Sequence, residues 1–346
     1  MNSTVLPQQS RTLGKSGLKV SPLGLGCWPI GGRMIFRGQP GYYGDVDDDE
    51  STRAIHAALD AGVTLFDTAD CYGAGHSEEV LGRALAQRRS EVVIATKFGN
   101  RFDPVTRHVD GEDVTPGYIR QACQASLTRL RTNVIDVYLI HCWTVSAAAA
   151  DDAMAALESL CEEGLIRTYG WSTDDLAQVE RLVDAPRFGA MQIEANVFNP
   201  GGPALELCAR RNWGALARSP LAMGLLSGRY DANSRFSAES VRGGGQPWVK
   251  FFRDAQPAPE YLHQLDAVRE ILQSGGRTLV QGALAYLWGR SPIVVPIPGF
   301  RNAAQARENA AAMEAAPLAA SQVAEIDHLL DQVRRAEPPQ KTSRHS

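Results

Sequence analysis

Short apolar runs recur along the chain, and between them apolar residues return at every third or fourth position. The runs lie at 23–27, 63–66, 92–96, 134–140, 166–171, 190–194, 214–217 and 293–296. Continuous apolar runs of this length, bounded by Gly, Asp, Asn or Pro, read as strands buried on both faces. The helical spacing between them is clearest at 51–61, 116–131, 147–163, 174–183, 261–273 and 302–313. About eight repeats of strand then helix imply parallel pairing with crossover helices, an α/β fold that closes into a (β/α)8 barrel. The alternation at 11–21 around Lys15-Ser-Gly17 predicts a small hairpin ahead of the first core strand. The expected organisation is one domain over 11–335, with polar tails at 1–10 and 336–346.

Three stretches break the rhythm, at 29–49, 100–115 and 227–259, the last carrying Gly243-Gly-Gly245, Trp248, Phe251 and Phe252. All three follow strands, which puts them on the face of a barrel where chemistry collects. Gly24-Leu-Gly26-Cys-Trp-Pro29 has the start of a dinucleotide fingerprint, but Pro29 occupies the third glycine's place and a loop follows where a helix should open. A Rossmann reading is rejected.

Composition narrows the class. The chain has 346 residues, 44% hydrophobic, with a formal net charge of −4. That offers no basic field for nucleic acid, and no apolar run approaches the roughly 18 to 20 residues of a membrane span. The first ten residues lack the basic start and apolar core of an export signal, so the expectation is a cytoplasmic protein with a small-molecule ligand. Six cysteines are scattered without CxxC or Cys/His spacing, which argues for reduced thiols and against a metal site. Cys71 and Cys142 stand beside candidate site residues, where oxidation would matter, although simple packing is the usual state of a free thiol.

Candidate chemistry gathers at successive strand ends. Gly62-Val-Thr-Leu-Phe-Asp67 places Asp67 and, five residues on, Tyr72 after one strand. Glu91-Val-Val-Ile-Ala-Thr-Lys97 ends another in Lys97, and Ile135-Asp-Val-Tyr-Leu-Ile-His141 a third in His141. Together Tyr72, Lys97, Asp67 and His141 form a set that resembles the catalytic tetrad of the aldo-keto reductase superfamily. The resemblance spans nearly the whole chain. It runs from Gly17-Leu-Lys-Val-Ser-Pro-Leu-Gly-Leu-Gly26 through Asp67-Thr-Ala-Asp-Cys-Tyr-Gly73, Thr96-Lys97, Leu139-Ile-His141 and Gly164-Leu-Ile-Arg-Thr-Tyr-Gly170. It continues with Gln192, Ser219-Pro-Leu-Ala-Met-Gly-Leu-Leu-Ser-Gly228, Ile297-Pro-Gly-Phe-Arg301 and Glu308-Asn309.

The resemblance implies a barrel whose bottom is closed by the amino-terminal hairpin, whose third long loop folds over the cofactor and whose other two shape the substrate pocket. It implies NADPH as cofactor and reduction of an aldehyde or ketone as the reaction. Ser172 and Gln192 would bind the nicotinamide carboxamide, and Ser219, Leu221, Gly224 and Ser227 would follow the pyrophosphate. Gly299, Arg301, Gln305, Glu308 and Asn309 would hold the adenosine end, with Arg301 on the 2′-phosphate, a group that a planar guanidinium suits.

Tyr72 would be the proton donor. A free phenol, with a pKa of about 10, is a reluctant acid at neutral pH. A neighbouring ammonium should bring it closer to working range. Lys97 would supply that charge, Asp67 would hold Lys97, and His141 would orient the carbonyl.

Two positions depart from the family pattern. Arg218 stands where an aromatic residue commonly stacks on the nicotinamide; its guanidinium plane can stack there but adds a charge, which leaves stacking strength and substrate charge preference open. Thr173 replaces the asparagine usual after Ser172. The same site run in reverse, as an alcohol or sugar dehydrogenase, stays open, as does a cofactor-binding regulatory subunit like the potassium-channel β subunits. The substrate and the oligomeric state are not readable from the residues.

Overall fold

The computed structural model describes residues 10–180 and 185–336. Nearly all of the two expected tails, and residues 181–183 of the expected 174–183 helix, lie outside those residues.

Eight parallel strands form one sheet: β1 Gly24–Gly26, β2 Leu65–Asp67, β3 Val93–Phe98, β4 Ile135–Ile140, β5 Ile166–Ser172, β6 Phe188–Glu194, β7 Gly214–Arg218 and β8 Val294–Pro296. Each pairs with the next in sequence, and Gly26 meets Gly299 in a parallel bridge that joins the first strand to the last. The expected (β/α)8 barrel is what forms. Side chains alternate across each strand. One set, with Leu65, Val93, Val137, Leu216 and Val295, fills the barrel, while Phe66, Ile94, Tyr138 and Val294 face the helices. Gly170 lets β5 and β6 come together, because a Cβ there would stand 1.8 Å from the Ala190 carbonyl oxygen.

The crossover helices are α1 Asp48–Asp60, α2 His76–Leu85, α3 Pro116–Arg129, α4 Ala147–Glu162, α5 Leu176–Val179, α6 Gly202–Arg211, α7 Pro259–Leu272 and α8 Leu279–Arg290, and α9 Ala303–Ala311 and α10 Ala320–Ala336 follow the last strand. Asp47 caps α1 through its carboxylate, and Thr278 with Gln281 makes a capping box on α8. The hairpin pairs Arg11–Thr12 with Lys19–Val20 and inserts Leu13 and Val20 into the interior cluster, at the end where the strands begin.

The loops build the opposite face. Residues Ile35–Phe36 and Gln39–Pro40 of the first loop and Asn100–Phe102 and His108–Glu112 of the second join in a single four-stranded sheet. The third loop closes on the first, with Val241 N–H donating to the Tyr42 carbonyl and Gln246 Nε2 to the Pro40 carbonyl.

Candidate active site

The strand order fixes the centre. Residue 67 of β2 pairs with residue 95 of β3, and residue 97 of β3 pairs with residue 139 of β4, so the three strand ends open side by side. Lys97 is fully buried, and its ammonium donates to Asp67 Oδ1 at 2.7 Å, to the Thr68 carbonyl at 2.7 Å and to the Tyr72 hydroxyl oxygen at 3.3 Å. All three of its protons are used. The second oxygen of Asp67 accepts from Gln192 Nε2 at 2.7 Å, and Gln192 Oε1 accepts from Ser172 Oγ at 3.3 Å. Gln192 thus links the ion pair to the far side of the barrel, in addition to the cofactor role expected of it.

Tyr72 sits in the turn that follows β2, with its ring stacked on Trp28 at 6.0 Å and edge-on to His141 at 5.9 Å. Gly73 makes this turn possible. Its φ is +60°, and a Cβ there would lie 1.8 Å from the Gly31 carbonyl oxygen, so the Trp28 loop can press against Tyr72. His141 is pinned through its backbone, donating to the Phe98 carbonyl and accepting from Asn100 Nδ2.

Electrostatics correct one expectation. Burial pushes the Tyr72 phenol well above its usual range, Asp67 and Cys71 push the same way, and Arg218 pulls it down. Tyr72 is therefore a protonated phenol at neutral pH. Lys97 occupies the oxygen's lone pair and leaves the O–H free to point into the cavity. Burial, then Lys97 and Arg218, hold His141 well below its ordinary value, so the imidazole is neutral. Burial raises Asp67, against the lowering effect of Lys97 and Gln192.

A cavity of about 670 Å³ opens over these groups. It is lined by Asp67, Tyr72 and His141 and by Ser172, Gln192, Arg218, Ser219, Leu221, Gly224, Ser227, Gly299, Arg301, Gln305, Glu308 and Asn309. Every candidate cofactor residue opens on this one space, and Lys97 stands behind Asp67. Between Ser219 and Gly224 the chain turns through left-handed residues, with φ of 51° at Ser219, 48° at Ala222, 55° at Met223 and 97° at Gly224. The turn is closed by its own hydrogen bonds, with Ala222 N–H donating to the Ser219 carbonyl and Gly224 N–H to the Leu221 carbonyl.

Sequence reasoning missed Arg242. Its guanidinium holds the turn by donating twice to the Met223 carbonyl, and it packs over the rings of Tyr43 at 4.7 Å and Tyr230 at 5.1 Å. It lies in a loop without periodicity, and the only signal was the glycine run that comes after it. Two further cations reach the cavity: Arg301, which donates to the Tyr43 and Asp45 carbonyls, and Arg229, which pairs with Glu308 at 3.0 Å.

Arg218 does not stand alone. It is paired with Asp174 and lies 3.8 Å from Glu194, which also binds Lys250 at 2.7 Å. Two carboxylates offset the guanidinium, so the pocket does not present it as a free cation for anionic substrates. Cys71 and Cys142 are buried, and burial raises both thiols, which keeps them protonated and unreactive.

The aldo/keto reductase family model matches residues 22–331. The chain belongs to the aldo/keto reductase family. It is an NAD(P)H-dependent oxidoreductase, and the match does not single out the channel-associated branch. Chloroplastic pyridoxal reductase of Arabidopsis thaliana is 30% identical over 317 residues, covering 86% of this chain and 80% of that protein. An aldo-keto reductase of Schizosaccharomyces pombe whose name specifies NADP(+) is 28% identical over 304 residues, covering 85% of this chain and 84% of its own. Among solved structures, a glycerol dehydrogenase from Gluconobacter oxydans superposes with a TM-score of 0.80 at 28% identity, covering 96% of this chain and 98% of that one. Among the described residues no helix is long and apolar enough to cross a membrane, and no group of three or more His, Cys, Asp or Glu could hold a metal ion.

The buried pair makes a prediction about stability. Lys97→Met should lower the unfolding free energy by about 3 kcal/mol, because Asp67 is left buried without its cation. The double variant Lys97→Met/Asp67→Asn should recover much of that loss. Urea unfolding measures both, and a single variant as stable as wild type would show that the pair carries no such coupling.

Proposed function

We propose that this oxidoreductase reduces aldehydes or ketones to alcohols with NADPH, and that Tyr72 donates the proton. The observation that carries the reading is the Tyr72 hydroxyl, held by a fully buried Lys97 at the floor of the cavity that also holds the strained turn and four arginines. The donor set fits a dinucleotide phosphate. Arg242 and the cavity-lining residues Ser219, Leu221, Gly224 and Ser227 would hold the pyrophosphate, Arg301 and Gln305 the 2′-phosphate, and Ser172 and Gln192 the carboxamide. The S. pombe relative's name points to the same cofactor.

The cofactor, when bound, supplies the hydride that no side chain can carry. A carbonyl oxygen placed against Tyr72 and His141 gains negative charge as its carbon is reduced. His141, neutral, offers an N–H to that oxygen, and Tyr72 transfers its proton to it. Lys97 stabilises the phenolate that remains, while Asp67 and Gln192 keep the ammonium in place. A neutral carbonyl is the best match to the pocket, because Arg218 is already paired and Trp28, Phe36, Trp143 and Trp248 supply apolar walls. Alcohol oxidation is the same route in reverse, starting from the Tyr72 phenolate. The cofactor ratio and the substrate set the direction, and burial keeps Tyr72 in the protonated form from which reduction starts.

Tyr72→Phe removes one hydroxyl and should leave folding and NADPH affinity near wild type while turnover of a good aldehyde falls by about 10²- to 10⁴-fold. Near wild-type turnover would assign the proton to another group. Arg301→Ala should weaken NADPH by roughly 10- to 100-fold, as expected for lost hydrogen bonds to a charged group. NADH should lose much less, through release of the Tyr43 and Asp45 carbonyls alone. Fluorescence titration with both cofactors tests this, and equal losses would place Arg301 away from the phosphate.

A further inference from the structure

We propose that Cys71 is a positioning residue that fixes the tautomer of His141, donating its thiol hydrogen to Nδ1 so that the Nε2 proton faces the cavity. Cys71 Sγ lies 3.7 Å from His141 Nδ1, and the thiol has no other hydrogen-bond partner among the described residues. Nε2 has no partner among them either, and His141 lines the cavity. A neutral imidazole carries one proton, on one nitrogen or the other. Sulfur is a weak donor but an even poorer acceptor of a strong N–H, so the pair is best satisfied with the thiol donating. The opposite tautomer would aim an Nδ1 proton at sulfur and turn the Nε2 lone pair toward a carbonyl oxygen, where two acceptors would repel.

The surroundings hold both partners to this arrangement. The Cys71 carbonyl accepts from Ala74 N–H, and the flanking Asp70 N–H donates to the Lys97 carbonyl, so the turn that carries the thiol is tied to the strand that carries the lysine. His141 is held through its backbone on both sides and through Tyr72 against its ring. Cys71 clusters with Met34, Ala69 and Val109, and Trp28, Phe36, Tyr72 and Phe102 pack against that cluster. A thiol suits that environment, since it packs as an apolar group and keeps one weak donor. Burial raises the thiol and lowers the imidazole, so the hydrogen stays on sulfur and the ring stays neutral. The charged groups that act on the ring are Lys97 and Arg218, both cations that disfavour a second proton on it.

The test reads the tautomer directly, so it does not depend on the proposed reaction. In protein labelled with ¹⁵N-histidine and saturated with NADP(+), the His141 ring nitrogens are assigned by their absence from His141→Gln. Wild type should show Nδ1 unprotonated and Nε2 protonated. Cys71→Val should show a mixture of tautomers, with kcat for a neutral aldehyde about three- to tenfold lower, the worth of one hydrogen bond, and NADPH affinity unchanged. Cys71→Ala, which also removes the donor without adding a branch, should show the same mixture and the same loss of rate. A proton on Nδ1 in wild type would overturn the proposal even if Cys71→Val fails to fold. So would a Cys71→Val or Cys71→Ala protein with wild-type tautomer and rate. A correct tautomer pattern alongside an aldehyde panel without turnover would instead count against the reductase reading alone.

Discussion

An ammonium with no exposure to solvent is the constraint on which this site depends. Taking Lys97 out of water costs several kcal/mol unless its charge and all three protons are answered. They are answered by a carboxylate, a carbonyl and a phenol from the segment 67–72. That arrangement exists only if β2 and β3 keep their register, and Asp67 is completed only if Gln192 arrives from β6. The buried ion pair is therefore complete only with β2, β3 and β6 in place together. The tight turn at Gly73, the Trp28 loop and the pinned His141 backbone then leave the phenol one outward direction, into the cavity.

Much of this was readable from the residues because the barrel strands are buried on both faces and appear as uninterrupted apolar runs. All eight fell within a few residues of their positions. The helices were less uniform. Leu279–Arg290 is buried almost all round, so it lacks the polar stripe that marks a surface helix, and His76–Leu85 starts from a left-handed glycine with no side-chain cap. Site residues at strand ends were legible through position and chemical type together. Partnerships were not. Arg218 reads as a free charge in sequence, and only the fold brings Asp174 and Glu194 against it. The same limit hid Arg242, whose importance lies in a carbonyl 19 residues away and a ring on another loop.

Burial changes the meaning of the tetrad as well. Proximity to Lys97 suggested a phenol drawn down toward neutrality, yet desolvation is the larger influence and moves it up. The consequence is a division of labour that suits reduction. In the proposed reaction Tyr72 would keep its proton until negative charge develops on the substrate, a neutral His141 would donate without competing for that proton, and Lys97 would stabilise the phenolate that remains. Around them the pocket is nearly balanced in charge and walled by aromatic rings, which fits a neutral carbonyl held beside a polyanionic cofactor.

The most direct test of this mechanism is the pH dependence of kcat for aldehyde reduction in wild type and in Tyr72→Phe. An acid must be protonated to act, so activity is lost as pH rises through its pKa, and the raised Tyr72 value places that loss above the ordinary phenol range. The expected result is a flat profile through neutral pH, a fall only in strongly alkaline solution, and no such limb in the residual activity of Tyr72→Phe. A wild-type profile that falls near neutral pH, with the same limb retained in Tyr72→Phe, would contradict it.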